Sequence, residues 1–323
     1  MPNEKLFLYF LLILFLNAVG CSEKIKEIPL SIENYKVLDS IPSGSGIVVK
    51  NDTAYIVGDD ATGVYQLNLK NLSQLKIPIS GLTYDQYREP KPVKHDFESA
   101  TFINWNGKQY LLAIGSGSNL NTRDSLLLFN ISENKDQRIV SLHNFYVELL
   151  HLTSTDSTQW NVEGATVIVD DLILLNRGNN LIIRLDLKDF LNYLFYPDSS
   201  FPKLSFNQIK LPTIDDKEAR LSGACTLNDS QILFCASVED TPDWTKDGPV
   251  LGSYIGIYSV KENQLIRSYL LKNKQGQVLK EKIESLDILE GPDKNIISLI
   301  AIGDNDNGSS KIFNLKMGIT NTE

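Results

Sequence analysis

A short motif recurs five times along the 323 residues: Glu or Ser, then a small residue, then an apolar run. The copies are Ser45-Gly46-Ile47, Glu98-Ser99-Ala100, Glu163-Gly164-Ala165, Ser222-Gly223-Ala224 and Glu284-Ser285-Leu286. They stand 53, 65, 59 and 62 residues apart. A unit that repeats about every 60 residues is a supersecondary building block, and strand-rich repeats of that kind are propeller blades. The rest of each unit agrees. A second apolar run follows each motif, at residues 54–58, 110–114, 172–175, 232–236 and 296–302, and each ends in a polar cluster. Third runs follow at 64–67, 126–130, 181–185, 254–258 and 311–315, and fourth runs at 75–79, 138–142, 206–211 and 265–271. Alternation with β-branched and aromatic content makes these strands. The fifth unit lacks a fourth strand after Met317, and a spare strand lies at the other end of the chain, at residues 35–38 or 28–32. The sequence therefore predicts an all-β fold: a five-bladed β-propeller with four antiparallel strands per blade, closed by the N-terminal strand.

The first 20 residues are excluded from that fold. Residues 6–16 are continuously apolar, too short for a membrane span of about 20 residues and suited to a signal-peptide core. The following Asn17-Ala18-Val19-Gly20-Cys21 resembles a bacterial lipobox. That resemblance implies cleavage before Cys21, a lipid on its thiol, and a protein anchored at the bacterial outer membrane on its periplasmic or surface face. The expected organisation is a lipoprotein signal peptide over residues 1–20, a tether over 21–27, and one propeller domain over 28–323, expected to be monomeric.

A net charge of −9 without a basic run argues against nucleic acid as a partner. Of the remaining cysteines, Cys225 and Cys235 lie on adjacent predicted strands and read as free and buried, with pairing as the alternative. The chain has no CxxC and no P-loop, and His95, His143 and His151 lack metal spacing. His95 alone is near a motif. The long connections 81–96, 146–161 and 238–251 are candidate ligand loops. They carry Tyr84, Tyr87, Arg88 and Lys94 in the first, and Glu239, Asp240, Asp243, Trp244 and Lys246 in the last.

In a propeller the innermost strand of each blade lines the axial channel, and each motif begins that strand. Ser45, Glu98, Glu163, Ser222 and Glu284 should then converge on the axis. Three carboxylates in a narrow channel repel one another unless they hold protons or share a cation. An all-oxygen set suits a hard ion such as calcium, which accepts six to eight oxygens, and does not suit zinc. The other reading is that these are turn residues facing solvent.

The order Ser45, Glu98, Glu163, Ser222, Glu284 is similar to that of the calcium-activated nucleotidase (apyrase) family, five-bladed propellers whose central calcium is approached by Ser, Glu, Glu, Ser and Glu. Other pieces look like uncharacterised Bacteroidota propeller lipoproteins: Phe97-Glu98-Ser99, residues 115–118 with Arg123, Asn176-Arg177-Gly178, and Glu239-Asp240-Thr241 with Asp247-Gly248. Phytase-like and gluconolactonase-like propellers also begin blades with Glu-Gly. Two function classes follow. One is a metal-dependent hydrolase of a phosphorylated substrate, with Arg123 and Arg177 holding phosphate and Asp59, Asp240, Asp304 or Asp306 as base. For both arginines the other reading is pairing with neighbouring carboxylates. The second class is a non-catalytic module with structural calcium that binds a small molecule, glycan, peptide or protein partner.

Overall fold

Five four-stranded antiparallel sheets stand around a common axis as the blades of a propeller. The structure is a computed structural model, and it describes residues 30–82, 87–241, 248–289, 296–305 and 308–318. The signal segment, Cys21, the tether, Tyr84, Asp243, Trp244, Lys246, Asp247 and Asp306 lie outside the described residues.

Blade one comprises β2 (Gly44–Lys50), β3 (Thr53–Gly58), β4 (Gly63–Asn68) and β5 (Gln74–Pro78). Blade two comprises β6 (Phe97–Trp105), β7 (Lys108–Gly115), β8 (Ser125–Asn130) and β9 (Gln137–Ser141). Blade three comprises β10 (Val162–Ile168), β11 (Asp171–Asn176), β12 (Leu181–Asp186) and β13 (Leu204–Gln208). A small hairpin, β14 (Thr213–Ile214) with β15 (Lys217–Glu218), leads into blade four. That blade comprises β16 (Arg220–Asn228), β17 (Gln231–Glu239), β18 (Val250–Ser259) and β19 (Gln264–Leu270). Blade five takes β20 (Ser285–Leu289), β21 (Ile296–Asp304) and β22 (Ser310–Gly318) from the C-terminus, and β1 (Ser31–Leu38) from the N-terminus. The β1–β22 register runs from Ser31 opposite Lys316 to Leu38 opposite Ser310, so the two ends of the chain close the ring.

Burial explains the sequence pattern. The middle strands lie between neighbouring blades and are covered on both faces, so Leu111–Ile114, Leu172–Leu175 and Ile232–Ala236 are continuously apolar and buried. The outer strands β5 and β9 are exposed or half-buried over most of their length instead.

Two helices depart from the sequence expectation. The connection read as a ligand loop at 146–161 is largely helix α1 (His143–Thr153), followed by a 3₁₀ turn over Ser157–Gln159. Its Phe145, Tyr146 and Leu149 enter the core between blades two and three. Helix α2 (Leu187–Phe195) is inserted between β12 and β13; Asp186 caps it by accepting from the Asp189 N–H at 2.8 Å. Phe190 of α2 meets Phe145 of α1 edge-on at 4.9 Å. Cys225 and Cys235 are free and buried. Among the described residues no helix is long and apolar enough to cross a membrane.

Candidate functional site

Four of the five motifs are β-bulges, and the fifth stands just ahead of its strand. In blade one the β2–β3 register skips between Gly44 and Gly46, leaving Ser45 unpaired. The register skips Glu98 between Phe97 and Ser99, Glu163 between Val162 and Gly164, and Ser222-Gly223 between Leu221 and Ala224. Glu284 immediately precedes β20, and its N–H donates to Ile302 O at 2.8 Å. A bulge leaves one residue out of the ladder and re-aims its side chain. Here it aims polar side chains at the axis.

Ser45, Glu98, Glu163 and Glu284 line a single cavity of about 540 Å³ at one end of the axis. Ser222 does not line it; its Oγ accepts from Arg177 at 3.4 Å. Ser45 donates to Ser43 O at 3.0 Å. Of the catalytic candidates, Asp59, Arg123, Arg177 and Asp304 reach this cavity. Asp240 does not: its side chain is exposed, with Lys217 3.6 Å away.

Sequence reasoning missed how many cations share the channel. Lys94 lies 2.5 Å from Asp96 and also pairs with Asp59. Arg177 donates to Glu163 at 3.0 Å and pairs with Glu239. Lys282 sits 3.1 Å from Glu284. Arg177 is therefore committed to two carboxylates, the pairing alternative of its sequence reading. The cavity collects eight carboxylates, from Asp59, Asp60, Asp96, Glu98, Glu163, Glu239, Glu284 and Asp304, against six cationic side chains. Fully ionised, it carries two uncompensated negative charges.

The tightest group of carboxylates stands beside blades one and two. Oxygens of Asp59, Asp96 and Glu98 all lie within 4.8 Å of one another. Asp59 Oδ1 is buried and accepts no hydrogen bond. Among the described residues, the Glu98 carboxylate accepts none either. Burial first, and then the charges of Asp96, Asp59 and Glu163, hold the Glu98 carboxyl well above the usual carboxylate range, with Lys94 opposing them. Burial alone would lower the Lys94 pKa, but Asp96, Glu98 and Asp59 together raise it. Glu163 is pushed up to about 7 by burial, against the pull of Arg177 and Lys282.

The surrounding structure holds this corner rigidly. Asp96 adopts a left-handed backbone, φ 57°, which Asp tolerates better than most residues. The hydroxyl of Ser116 bonds its carboxylate, and the Ser116 N–H donates to Asp96 O at 3.0 Å. Tyr146 of α1 donates to the neighbouring Gly115 O at 2.5 Å, tying the helix to the site. Buried Glu89 accepts from the His95 N–H at 2.7 Å and lies 2.8 Å from His95 Nδ1, clamping the loop that presents Lys94. His95 thus braces the site instead of lining it.

A family of unknown function, DUF6929, matches residues 40–317. The chain belongs to the DUF6929 family. No curated protein matches the sequence. Similar solved structures include a Myxococcus xanthus glutaminyl cyclase at 10% identity, with 90% of this chain and 97% of that chain covered and a TM-score of 0.47. The tail fiber of Staphylococcus aureus phage P68 is 15% identical, over 88% of this chain and 53% of that chain, with a TM-score of 0.45. A luciferin-regenerating enzyme is 11% identical, over 89% and 98%, with a TM-score of 0.42. The DUF6929 match spans all five motifs, and its description assigns them no activity.

Proposed function

We propose that this DUF6929 propeller binds a hard divalent cation in its axial cavity, and through it an anionic ligand. The observation that carries the reading is the convergence of Asp59, Asp96 and Glu98 within 4.8 Å, with a buried Asp59 oxygen left without a hydrogen bond. Three carboxylates are an oxygen-only donor set of the kind calcium takes. The proposed ion sits beside blades one and two instead of at the centre of all five motifs, because the oxygens of Asp59, Asp96 and Glu98 converge there, while Glu163 and Glu284 are paired with Arg177 and Lys282. Lys94 must then withdraw from Asp59 and Asp96 as the ion enters. Arg123, whose Nη1 lies 3.4 Å from Asp96 and 3.0 Å from Ser118 Oγ, and exposed Lys91 border the same corner. They would receive the ligand's negative charge. The test is thermal unfolding of the purified domain over a calcium titration. A melting temperature that rises with calcium, and loses that rise in Glu98→Gln, upholds the reading by mass action; a curve indifferent to calcium and chelator overturns it.

A second reading, hydrolysis of a phosphorylated substrate, draws on Glu163, a carboxyl held at about 7 in the same cavity and so suited to proton transfer near neutral pH. The resemblance of the five blade-start residues to calcium-activated nucleotidases is what points it at a phosphoester. A phosphate-release screen with and without calcium separates the two readings: release that stops on chelation favours catalysis. For location, the proposal keeps the lipid anchor at Cys21. Cys21→Ser should move the protein from the membrane to the soluble fraction; unchanged attachment would dismiss the anchor.

A further inference from the structure

The axial cavity continues outward. Arg177 and Glu239 also line a second cavity of about 310 Å³. That cavity shares Glu218 and Arg220 with a third, a groove of about 710 Å³ lined by α1's C-terminal end and the outer strand of blade three. The three adjoin in series from the axis outward beside blades three and four, a trench in which the Arg177–Glu239 pair lines both the first and the second cavity.

The chemistry changes along the trench. The inner end is ionic. The outer groove is lined mainly by hydroxyls and carboxamides, among them Ser154, Gln159, Asn207 and Gln208. These groups both donate and accept, and the exposed Gln159 side chain makes no hydrogen bond among the described residues. Arg220 gives one N–H to Gly178 O at 3.1 Å and has further donors. Among the described residues, Phe206 and Leu181 are the only apolar side chains lining the groove, and Phe206 is 47% exposed on β13. A ligand that fits must present many hydroxyls that donate and accept, plus a flat non-polar face for one aromatic ring. A saccharide has both. A peptide would need successive apolar pockets for alternate side chains, and the groove does not offer them.

From this juxtaposition we propose that the trench is the binding track of a linear oligosaccharide. The sugar rings lie along Gln159, Gln208 and Phe206, and the inner end of the chain reaches the axial cavity. The proposal stands independently of the cation, since the outer groove is complete without it.

The test is titration calorimetry of the whole mature chain with cellotetraose, chitotetraose and tetragalacturonate, each in calcium and in chelator, beside a pool of extended octapeptides. At least one tetrasaccharide should bind. Phe206→Ala, and separately Gln159→Ala with Gln208→Ala, should each weaken it about tenfold or more, close to 1.4 kcal/mol. Their melting temperatures should fall only slightly, because Phe206 is half-exposed and Gln208 gives up a single exposed bond, to Asn179 O at 2.9 Å. Binding to none of the sugars, binding to peptides alone, or sugar binding untouched by both variants overturns the trench. Sugar binding that survives chelation but fails in Phe206→Ala upholds it even if the cation reading falls. A calcium-dependent melting temperature without sugar binding overturns the trench and leaves the cation reading standing.

Discussion

Arg177 donates to Glu163 at 3.0 Å, and both side chains are almost wholly buried. The contact stays within blade three but faces the axis, and the other end of the guanidinium pairs with Glu239 of blade four. One cation thus ties two blades together at the channel wall. The arrangement is stable only as a set, because removing one member leaves a desolvated charge behind.

Arg177→Met should therefore cost about 3–5 kcal/mol of unfolding free energy, the cost typical of breaking a buried ion pair on one side. Urea denaturation measures it. The triple variant Arg177→Met, Glu163→Gln, Glu239→Gln should recover a large part of the loss, since no uncompensated charge remains. A triple variant less stable than Arg177→Met alone would show that the network stabilises through more than charge balance.

The motif spacing holds a second, steric message. Gly164 follows the bulged Glu163 in blade three, and a Cβ there would lie 2.3 Å from Ser222 O of blade four. Gly223 stands the same way against blade five, 2.5 Å from the Ser285 Cα. The small residue after each Glu or Ser lets adjacent inner strands approach. Gly164→Ala should destabilise the domain by about 1–3 kcal/mol, the usual cost of overpacking. Equilibrium unfolding would check it, and an unchanged midpoint would mean that the ring of strands can expand without penalty.

These cases show what was readable in the chain and what was not. The blades were legible because each central strand, covered on both faces, must be apolar throughout, and because each bulge repeats the same local pattern. The closure by the N-terminal strand was legible from the missing partner of the last blade. Helix α1 occupies a stretch that reads as a loop, although its Phe145, Tyr146 and Leu149 share a helical apolar face. Helix α2 carried a signal too, with Asp186 three residues before Asp189 at its start. Of the ion pairs, the sequence offered pairing only for Arg123 and Arg177, and without the partners across blades. Lys94 meets Asp59, and Arg177 meets Glu239, only once separate blades are brought round the axis, whereas Asp96 and Glu284 stand just two residues from Lys94 and Lys282. Asp96 stood in plain view beside Glu98, but its left-handed backbone and its bond from Ser116 belong to the folded bulge alone.

A pH dependence follows from two buried carboxyls. Asp287 accepts from the Val49 N–H at 2.5 Å and from the Ile288 N–H at 2.8 Å, yet burial raises its pKa from 3.8 to about 6. Glu163 rises from 4.5 to about 7, again chiefly through burial. Each carboxyl binds its proton more tightly folded than unfolded. Between its unfolded and folded pKa the native state holds more protons, so stability falls as pH rises. The chelated protein should lose stability from about pH 4 to about pH 7. Asp287→Asn retains an acceptor for Val49 and should flatten the lower part of that slope, and Glu163→Gln the upper part. Unfolding free energy measured across this range checks the sign; stability rising with pH in chelator would contradict it.

Lys94 separates a cation site from a purely structural cluster. Its ammonium contacts Asp59 and Asp96, the same side chains proposed to hold the ion beside Glu98. It is 8% exposed, so its charge stands in a largely desolvated corner. If lysine and ion compete for those oxygens, Lys94→Met has opposite effects in the two conditions. In chelator it removes the nearest positive charge from Asp59, Asp96 and Glu98, and the melting temperature should fall. In calcium the ion replaces the lost charge without having to displace an ammonium, so the melting temperature should recover and half-saturation should move to lower calcium. A shift of about tenfold in that midpoint corresponds to 1.4 kcal/mol of relieved competition. The Lys94→Met, Glu98→Gln double variant should lose the recovery. If Lys94→Met is equally destabilised with and without calcium, the lysine is the site's own permanent counter-charge and no ion takes its place.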